Sequence, residues 1–378
     1  MSAGSAGSQS PIARWWPITA PLFAVVVLAF SWGSSPAGFL TWVLVIALVG
    51  AILAAVHHAE VVALKVGEPF GSLVLAVAVT VIEVGLIVTL MISGGDDKAS
   101  LARDTVFAAL MITANGIVGI SLIAATFRGR VALFNPGGSG GALATVAALA
   151  TLCLVLPTFT TSSAGPTFTG SQLAFAAGAS VVLYGLYVFV ATVRHRDFFL
   201  PEPIENPTKS DLAEAAAEEE RHAVPPTNGA TALSLSMLVV GLVAVVGLAK
   251  TVSPAIESAI AGAGLPITVV AIVIALVVLL PEAIAAARAA SRGRIQTSFN
   301  LAYGSALASI GLTIPAIAIA SFWIDGPLIL GLGPIETALL ALTVVLGVLT
   351  LNNGRATVLQ GGVHLVVFAG FIMLAVLP

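Results

Sequence analysis

Two glutamates stand alone in long apolar stretches, one in each half of the chain. From Phe70 to Gly95 the only charged residue is Glu83, and from Ser258 to Ala287 it is Glu282. Holding a carboxylate at membrane depth costs about 2.5–3.5 kcal/mol even on the lenient insertion scale, so such a residue is there with a partner or a task. Carboxylate oxygens bind hard cations and they bind protons. Two of them in matching places point to one shared ion site, where a metal and protons compete for the same oxygens. Pro281, beside Glu282, removes a helical hydrogen bond and frees the carbonyl four residues back, that of Val277. A freed carbonyl next to a carboxylate extends an oxygen-rich cation site. The first copy has Thr80 and Gly85 near Glu83 but no proline. Asn115, Ser305 and Ser309 complete the candidate ligands, read either as ion or gate contacts or as small polar residues that let helices pack closely.

The elements that must hold these residues follow from composition. Only 9% of the 378 residues are charged, 58% are hydrophobic, and the mean hydropathy is +1.07. A soluble domain carries about 25% charged residues. The chain therefore lives in the lipid bilayer, and nucleic-acid binding is excluded. A net charge of −3 says little about partners, and a single cysteine, Cys153, forms no internal disulfide. Met1 to Ser10 lacks the basic, apolar and small-residue regions of a signal peptide, so the first hydrophobic run is expected to remain as an anchor. Spans of about 20 apolar residues are expected at 15–32, 39–57, 70–93, 104–127, 139–158, 170–193, 229–249, 264–288, 298–321, 333–351 and 357–377. With the N-terminus in the cytoplasm, twelve Lys and Arg fall inside and three, Lys98, Arg103 and Lys250, fall outside. That bias places the N-terminus in and the C-terminus out.

After the first span, the chain divides into two groups of five, and the second span of each carries the lone glutamate. The expected organisation is a disordered cytoplasmic tail (1–14), a first transmembrane helix (15–32), repeat one (33–193), an acidic cytoplasmic loop (194–228) and repeat two (229–378). This is an all-α polytopic membrane protein of eleven transmembrane helices, arranged 1+5+5. Five spans per unit invert the second copy, and inverted repeats bring equivalent helices together at the bilayer midplane, where transporters bind substrate.

Other polar residues have plainer readings. His57 and His58, beside Glu60, read as a solvated interfacial pair, with metal binding or pH sensing as the sharper alternative. His364 reads as a histidine bonded across helices. Asp211, Glu214 and Glu218–Glu220 read as a solvated acidic helix. No His-Glu-x-x-His, no Gly-x-Ser-x-Gly and no intramembrane aspartate supports an intramembrane enzyme. No cofactor is expected, and nothing in the sequence sets an oligomeric state. A membrane sensor that binds cations without moving protons is the remaining alternative to a transporter.

The run Ala59-Glu60-Val61-Val62-Ala63-Leu64-Lys65-Val66-Gly67-Glu68-Pro69-Phe70-Gly71-Ser72-Leu73, leading to Thr80-Val81-Ile82-Glu83, resembles the first repeat of the calcium/cation:proton antiporters of the cation/calcium exchanger superfamily. Pro281-Glu282, Asn300-Leu301-Ala302-Tyr303-Gly304-Ser305, Ile314-Pro315 and the tail from Asn353-Gly354-Arg355 to Gly361-Gly362 resemble the second repeat. The likeness covers nearly the whole chain from the second span onward and is closest to the ChaA-type bacterial branch. It implies the 1+5+5 fold in a bacterial inner membrane, with cytoplasmic Ca2+ exchanged for protons, or Na+ or K+ in place of Ca2+. In that family the paired glutamates end a Gly-Asn-Ala-x-Glu motif. Here the matching segments read Val79-Thr80-Val81-Ile82-Glu83 and Val278-Leu279-Leu280-Pro281-Glu282. Thr80 and Leu279 stand where the asparagines would be, and Leu279 has no side-chain oxygen.

Overall fold

The computed structural model describes residues 11–34, 36, 38–67, 70–94, 99–127, 131–201, 225–323 and 326–378. Asp211, Glu214 and Glu218–Glu220 of the acidic loop lie outside the described residues. Among the described residues run eleven long helices: α1 (Pro11–Ser31), α2 (Phe39–Val66), α3 (Phe70–Gly94), α4 (Leu101–Thr126), α5 (Pro136–Phe159), α6 (Gly170–Arg194), α7 (Asn228–Gly262), α8 (Thr268–Ser291), α9 (Ile295–Ala320), α10 (Pro334–Leu351) and α11 (Val358–Val376). Ten of these are long and apolar enough to cross a membrane, and α1 supplies a shorter apolar stretch, Trp15–Ser31. In lipid the backbone must satisfy its own polar groups, so an apolar run of this length can only be a helix. Starts are set by local chemistry. Thr169 with Gln172, and Thr357 with Gln360, form capping boxes at α6 and α11, while Thr227 accepts from the Ala230 N–H at α7.

The expected spans hold to within a few residues, with two kinds of difference. Residues 11–14, expected in a disordered tail, are helical, and α2 and α7 continue well past their expected ends, to Val66 and Gly262. Both extensions carry helix-compatible polar residues that composition alone assigns to links. α4, α5 and α6 also contain π-helical turns, at Ile112–Ile117, Thr151–Val155 and Val190–Arg194.

The links gather at two ends of the bundle. At one end, those following α3, α5 and α9 meet: Ile329 N–H donates to the Ala99 carbonyl (3.1 Å), Gly331 N–H to Pro166 (3.0 Å) and Leu332 N–H to Leu154 (2.7 Å). At the other, the links following α4 and α10 pair as two short antiparallel strands, β1 (Ala132–Leu133) and β2 (Arg355–Ala356). There too, Asn135 N–H donates to Gln296 Oε1 (2.8 Å) at the start of α9, and Asn300 Nδ2 to the Phe199 carbonyl (2.6 Å) after α6. Odd and even helices thus end on opposite sides, and the even end carries Arg194, Arg288, Arg292, Arg294 and Arg355.

Two large apolar cores and a small third cluster, where α3, α4, α8 and α9 meet, hold the helices. The larger is built from α4, α5, α6, α8, α9, α10 and α11, and a second from α1, α2, α3 and α7, with Val278 of α8. α4 and α9 are the most buried helices. Packing is paired: α3 lies on α9 as α8 lies on α4, and α6 lies on α9 as α11 lies on α4, while α2 and α7 pack on each other. Exchanging the first five-helix group (α2–α6) for the second (α7–α11) maps each of these contacts onto another.

Candidate functional site

α3 joins the two cores. Its Val79, Ile82 and Leu86 belong to the smaller core, so the helix turns Glu83 toward α9 and the larger one. Glu83 is 3% exposed. Its Oε2 accepts a hydrogen bond from the Ser309 hydroxyl of α9 (2.9 Å), and its Oε1 is buried with no partner. Thr313, one turn beyond Ser309, lies against the same carboxyl group without reaching hydrogen-bond geometry. On α8, Glu282 buries Oε2, again without a partner, while the rest of its side chain is partly exposed. The two carboxyl groups are within electrostatic reach of each other, and Glu60, at the exposed end of α2, is within reach of Glu282. Among the described residues no ion pair reaches either glutamate.

Both glutamates line one cavity of about 330 Å³, together with Thr80, Ser305 and Ser309. The cavity runs between α3, α6 and α9 to Thr192, Phe199, Thr297 and Asn300, at the arginine-rich end of the bundle. On the other side of Glu83 the path is closed by Ile87, Leu90 and Met91 of α3, which pack with Leu101, Ala102, Ala271 and Ile317. The site is thus a dead end, polar at its tip and approached from one side.

Five of the seven residues singled out from the sequence meet here: Glu83, Glu282, Thr80, Ser305 and Ser309. Asn115 does not line the cavity. It sits in the π-turn of α4, fully buried, where its Nδ2 donates to Thr343 Oγ1 (2.9 Å) and its Oδ1 lies 3.1 Å from His364 Nδ1. His364 Nε2 in turn lies 3.0 Å from Thr350 Oγ1. This cluster uses both ends of the Asn115 amide, and it shows His364 bonded across helices. Val277 does not line the cavity either; it packs beside the smaller core, and α8 continues through Pro281. His58 corrects the reading of a solvated pair. It is 3% exposed, with Nε2 donating to the Pro17 carbonyl (2.9 Å) and Nδ1 accepting from Ser234 (3.2 Å), which ties α2 to α1 and α7. His57 packs against Trp16 instead. Among the described residues no cluster of three metal-binding side chains forms.

Sequence reasoning missed several lining residues. Tyr184 and Tyr187 of α6 form one wall. Two of only three tyrosines on one helical turn were the signal available. Thr313, which lies against the Glu83 carboxyl group rather than in the cavity wall, follows Ser309 by four residues, one helical turn, and so shares its face. Asn300 at the mouth is held by Gln296 Nε2, which donates to its Oδ1 (2.9 Å).

The profile of the sodium/calcium exchanger protein family matches residues 34–193 and 233–377. The chain belongs to that family. This exchanger is 44% identical over 366 residues to y4hA of Sinorhizobium fredii, provisionally named an ionic transporter, with 96% of each chain covered. It is 31% identical over 357 residues to the sodium-potassium/proton antiporter ChaA of Escherichia coli, covering 93% of this chain and 94% of that one. Among solved structures, native YfkE matches with a TM-score of 0.69 at 14% identity, over 97% of this chain and 99% of its own. The H+/Ca2+ exchanger CAX matches at 0.64 with 13% identity, over 96% and 92%. At such identities the likeness speaks to the fold. Family, relatives and fold together make this exchanger a membrane-embedded cation antiporter, a transporter and not an enzyme.

Proposed function

We propose that this exchanger moves Ca2+ out of the cytoplasm against protons, at a site formed by Glu83 and Glu282. One observation carries the reading: two carboxyl groups share one cavity, and each keeps a buried oxygen that no protein group satisfies. Such oxygens need a counter-charge, either a proton or a cation. Loading one displaces the other, and that competition is what antiport requires. Two carboxylates balance one divalent ion and give it two to four of the six to eight oxygens that calcium takes. Thr80, Ser305 and Ser309 lie in the same wall, and water completes the shell. With the arginine-rich end taken as cytoplasmic, the cavity is the inward-facing pathway, and the mirrored packing of the two helix groups supports an alternate, outward-facing form.

A second reading, Na+ or K+ against protons, is favoured by Leu279, which leaves the second motif without the side-chain oxygen that an asparagine would add to Glu282, and by the likeness to the sodium-potassium/proton antiporter. Proteoliposomes carrying an internal pH dye separate these readings and test both. Pulses of Ca2+, Na+, K+ and Mg2+ are compared in wild type, Glu83→Gln and Glu282→Gln. Each glutamine variant is expected to insert normally and to lose exchange with every cation. Normal exchange by both variants rejects the shared site, and proton movement with Na+ or K+ but not Ca2+ selects the second reading.

A further inference from the structure

Away from the ion site, a groove of about 540 Å³ opens between α1, α3 and α7. It is lined by Leu28 and Trp32, by Thr89 and Ile92, and by Leu242, Val243, Val246, Gly247 and Lys250. The groove is mostly apolar along its length, and Lys250 is the one charged group among the described residues that line it. Lys250 is exposed, and among the described residues no acidic side chain lines the groove with it. Arg103, another of the three basic residues expected at this end, is already paired with Asp104 (2.7 Å). The helices that border the groove also carry exposed apolar residues: on α1 Phe23 is 50% exposed and Phe30 89%, and on α7 Val239 is 53% exposed. In a membrane protein such a face meets acyl chains. Trp32 and Lys250 sit at the ends of their apolar runs, where a tryptophan and a lysine mark the interface with water.

We propose that this groove is a phospholipid site: an acyl chain lies along Leu28, Leu242, Val243 and Val246, and an anionic headgroup sits against Lys250. The occupant must be apolar over its length and negative at one end, which describes an anionic phospholipid and not a peptide or a second copy of this face. The groove floor is built tightly. A Cβ at Gly247 would fall 2.4 Å from Leu28 Cδ2. Val246 lines the groove and also packs on α3, where a Cβ at Gly85, two residues beyond Glu83, would come within 2.8 Å of its Cγ2. A lipid in the groove therefore touches, through Thr89, Ile92 and Val246, the helix that carries Glu83 and the side chain that packs on it.

Native mass spectrometry of the delipidated full chain, titrated with phosphatidylglycerol or phosphatidylcholine, tests the site directly. Wild type is expected to hold one tightly retained phosphatidylglycerol, preferred over phosphatidylcholine by roughly fivefold, the scale of one basic residue at an anionic lipid. Lys250→Gln should abolish the preference, while Arg355→Gln, at the opposite end of the bundle, should keep it. Val243→Trp, which fills the groove from an exposed position, should lose the retained lipid of either kind. An unchanged preference in Lys250→Gln, or an unchanged retained lipid in Val243→Trp, leaves only unspecific annular lipid and overturns the proposal. Neither readout depends on transport, so the result stands apart from that of the ion site.

Discussion

At the scale of the residue, the two glutamates are served unequally. Both bury one oxygen with nothing on it, but Glu83 has the Ser309 hydroxyl on its other oxygen. Leaving a buried acceptor unsatisfied costs about 1–3 kcal/mol. Ser309→Ala is therefore expected to raise the half-saturating cation concentration by roughly tenfold, the equivalent of 1.4 kcal/mol. Thr313→Ala, which removes a hydroxyl without a hydrogen bond, should stay within about twofold. Concentration series of cation-driven proton release in proteoliposomes check both, and equal effects would mean that Ser309 is no more a site residue than Thr313. The glutamates themselves were legible because a single charge in an apolar run carries a cost that demands explanation. Asn115 was legible as a polar residue, but its engagement away from the cavity was not, since its partner His364 lies 249 positions along the chain. His58 is the same case: its carbonyl and hydroxyl partners come from α1 and α7, and no local pattern announces them.

At the scale of the element, α8 poses the sharpest question. Pro281 lacks an N–H, so the Val277 carbonyl has no helical donor, yet the helix runs on and Val277 faces away from the cavity. Pro281→Ala restores that bond. Proline in a helix interior costs about 3 kcal/mol, and part of this should return as a higher thermal midpoint, read by a melting assay in detergent. Cation half-saturation should change by less than about twofold; a tenfold weakening would return Val277 to the set of ligands. The contact of α4 with α11 makes a second case. A Cβ on Gly361 would lie 3.0 Å from the Gly119 carbonyl oxygen and from Ile123 N, backbone atoms that cannot swing aside. Gly361→Val is expected to lower the thermal midpoint by several degrees, the usual consequence of overpacking by about 1–3 kcal/mol, and an unchanged midpoint would show that the two helices part without cost. The places of the apolar helices were readable because a bilayer demands about 20 apolar residues per crossing. The π-turns were not, since one extra residue in a turn leaves no compositional trace. Nor were the extensions of α2 and α7, where polar residues continue a helix that composition would end.

At the scale of the whole molecule, the two apolar cores meet at the glutamates. α3 belongs by its Val79 and Ile82 to the smaller core and by Glu83 to a site whose other walls, α6 and α9, belong to the larger. In the proposed mechanism, a shift of one core against the other would open one side of this seam and close the other without breaking either core, the form of alternating access that inverted repeats provide. Packed interfaces are bistable rather than continuously deformable, so the two forms should be discrete. Cysteine accessibility tests this, because the native Cys153 is buried and can be replaced by serine in the background. Without cation, a membrane-impermeant thiol reagent applied at the arginine-rich end should label Leu75→Cys and Ala191→Cys, both in the cavity wall, and spare Met91→Cys behind the apolar seal. A pH gradient that drives the exchanger outward should slow the first two by several-fold and expose Met91→Cys to reagent from the opposite side. Equal labelling of all three positions in both conditions would mean that the seam does not alternate. The cavity would then be a static vestibule, and antiport would need a pathway that this arrangement of helices does not provide.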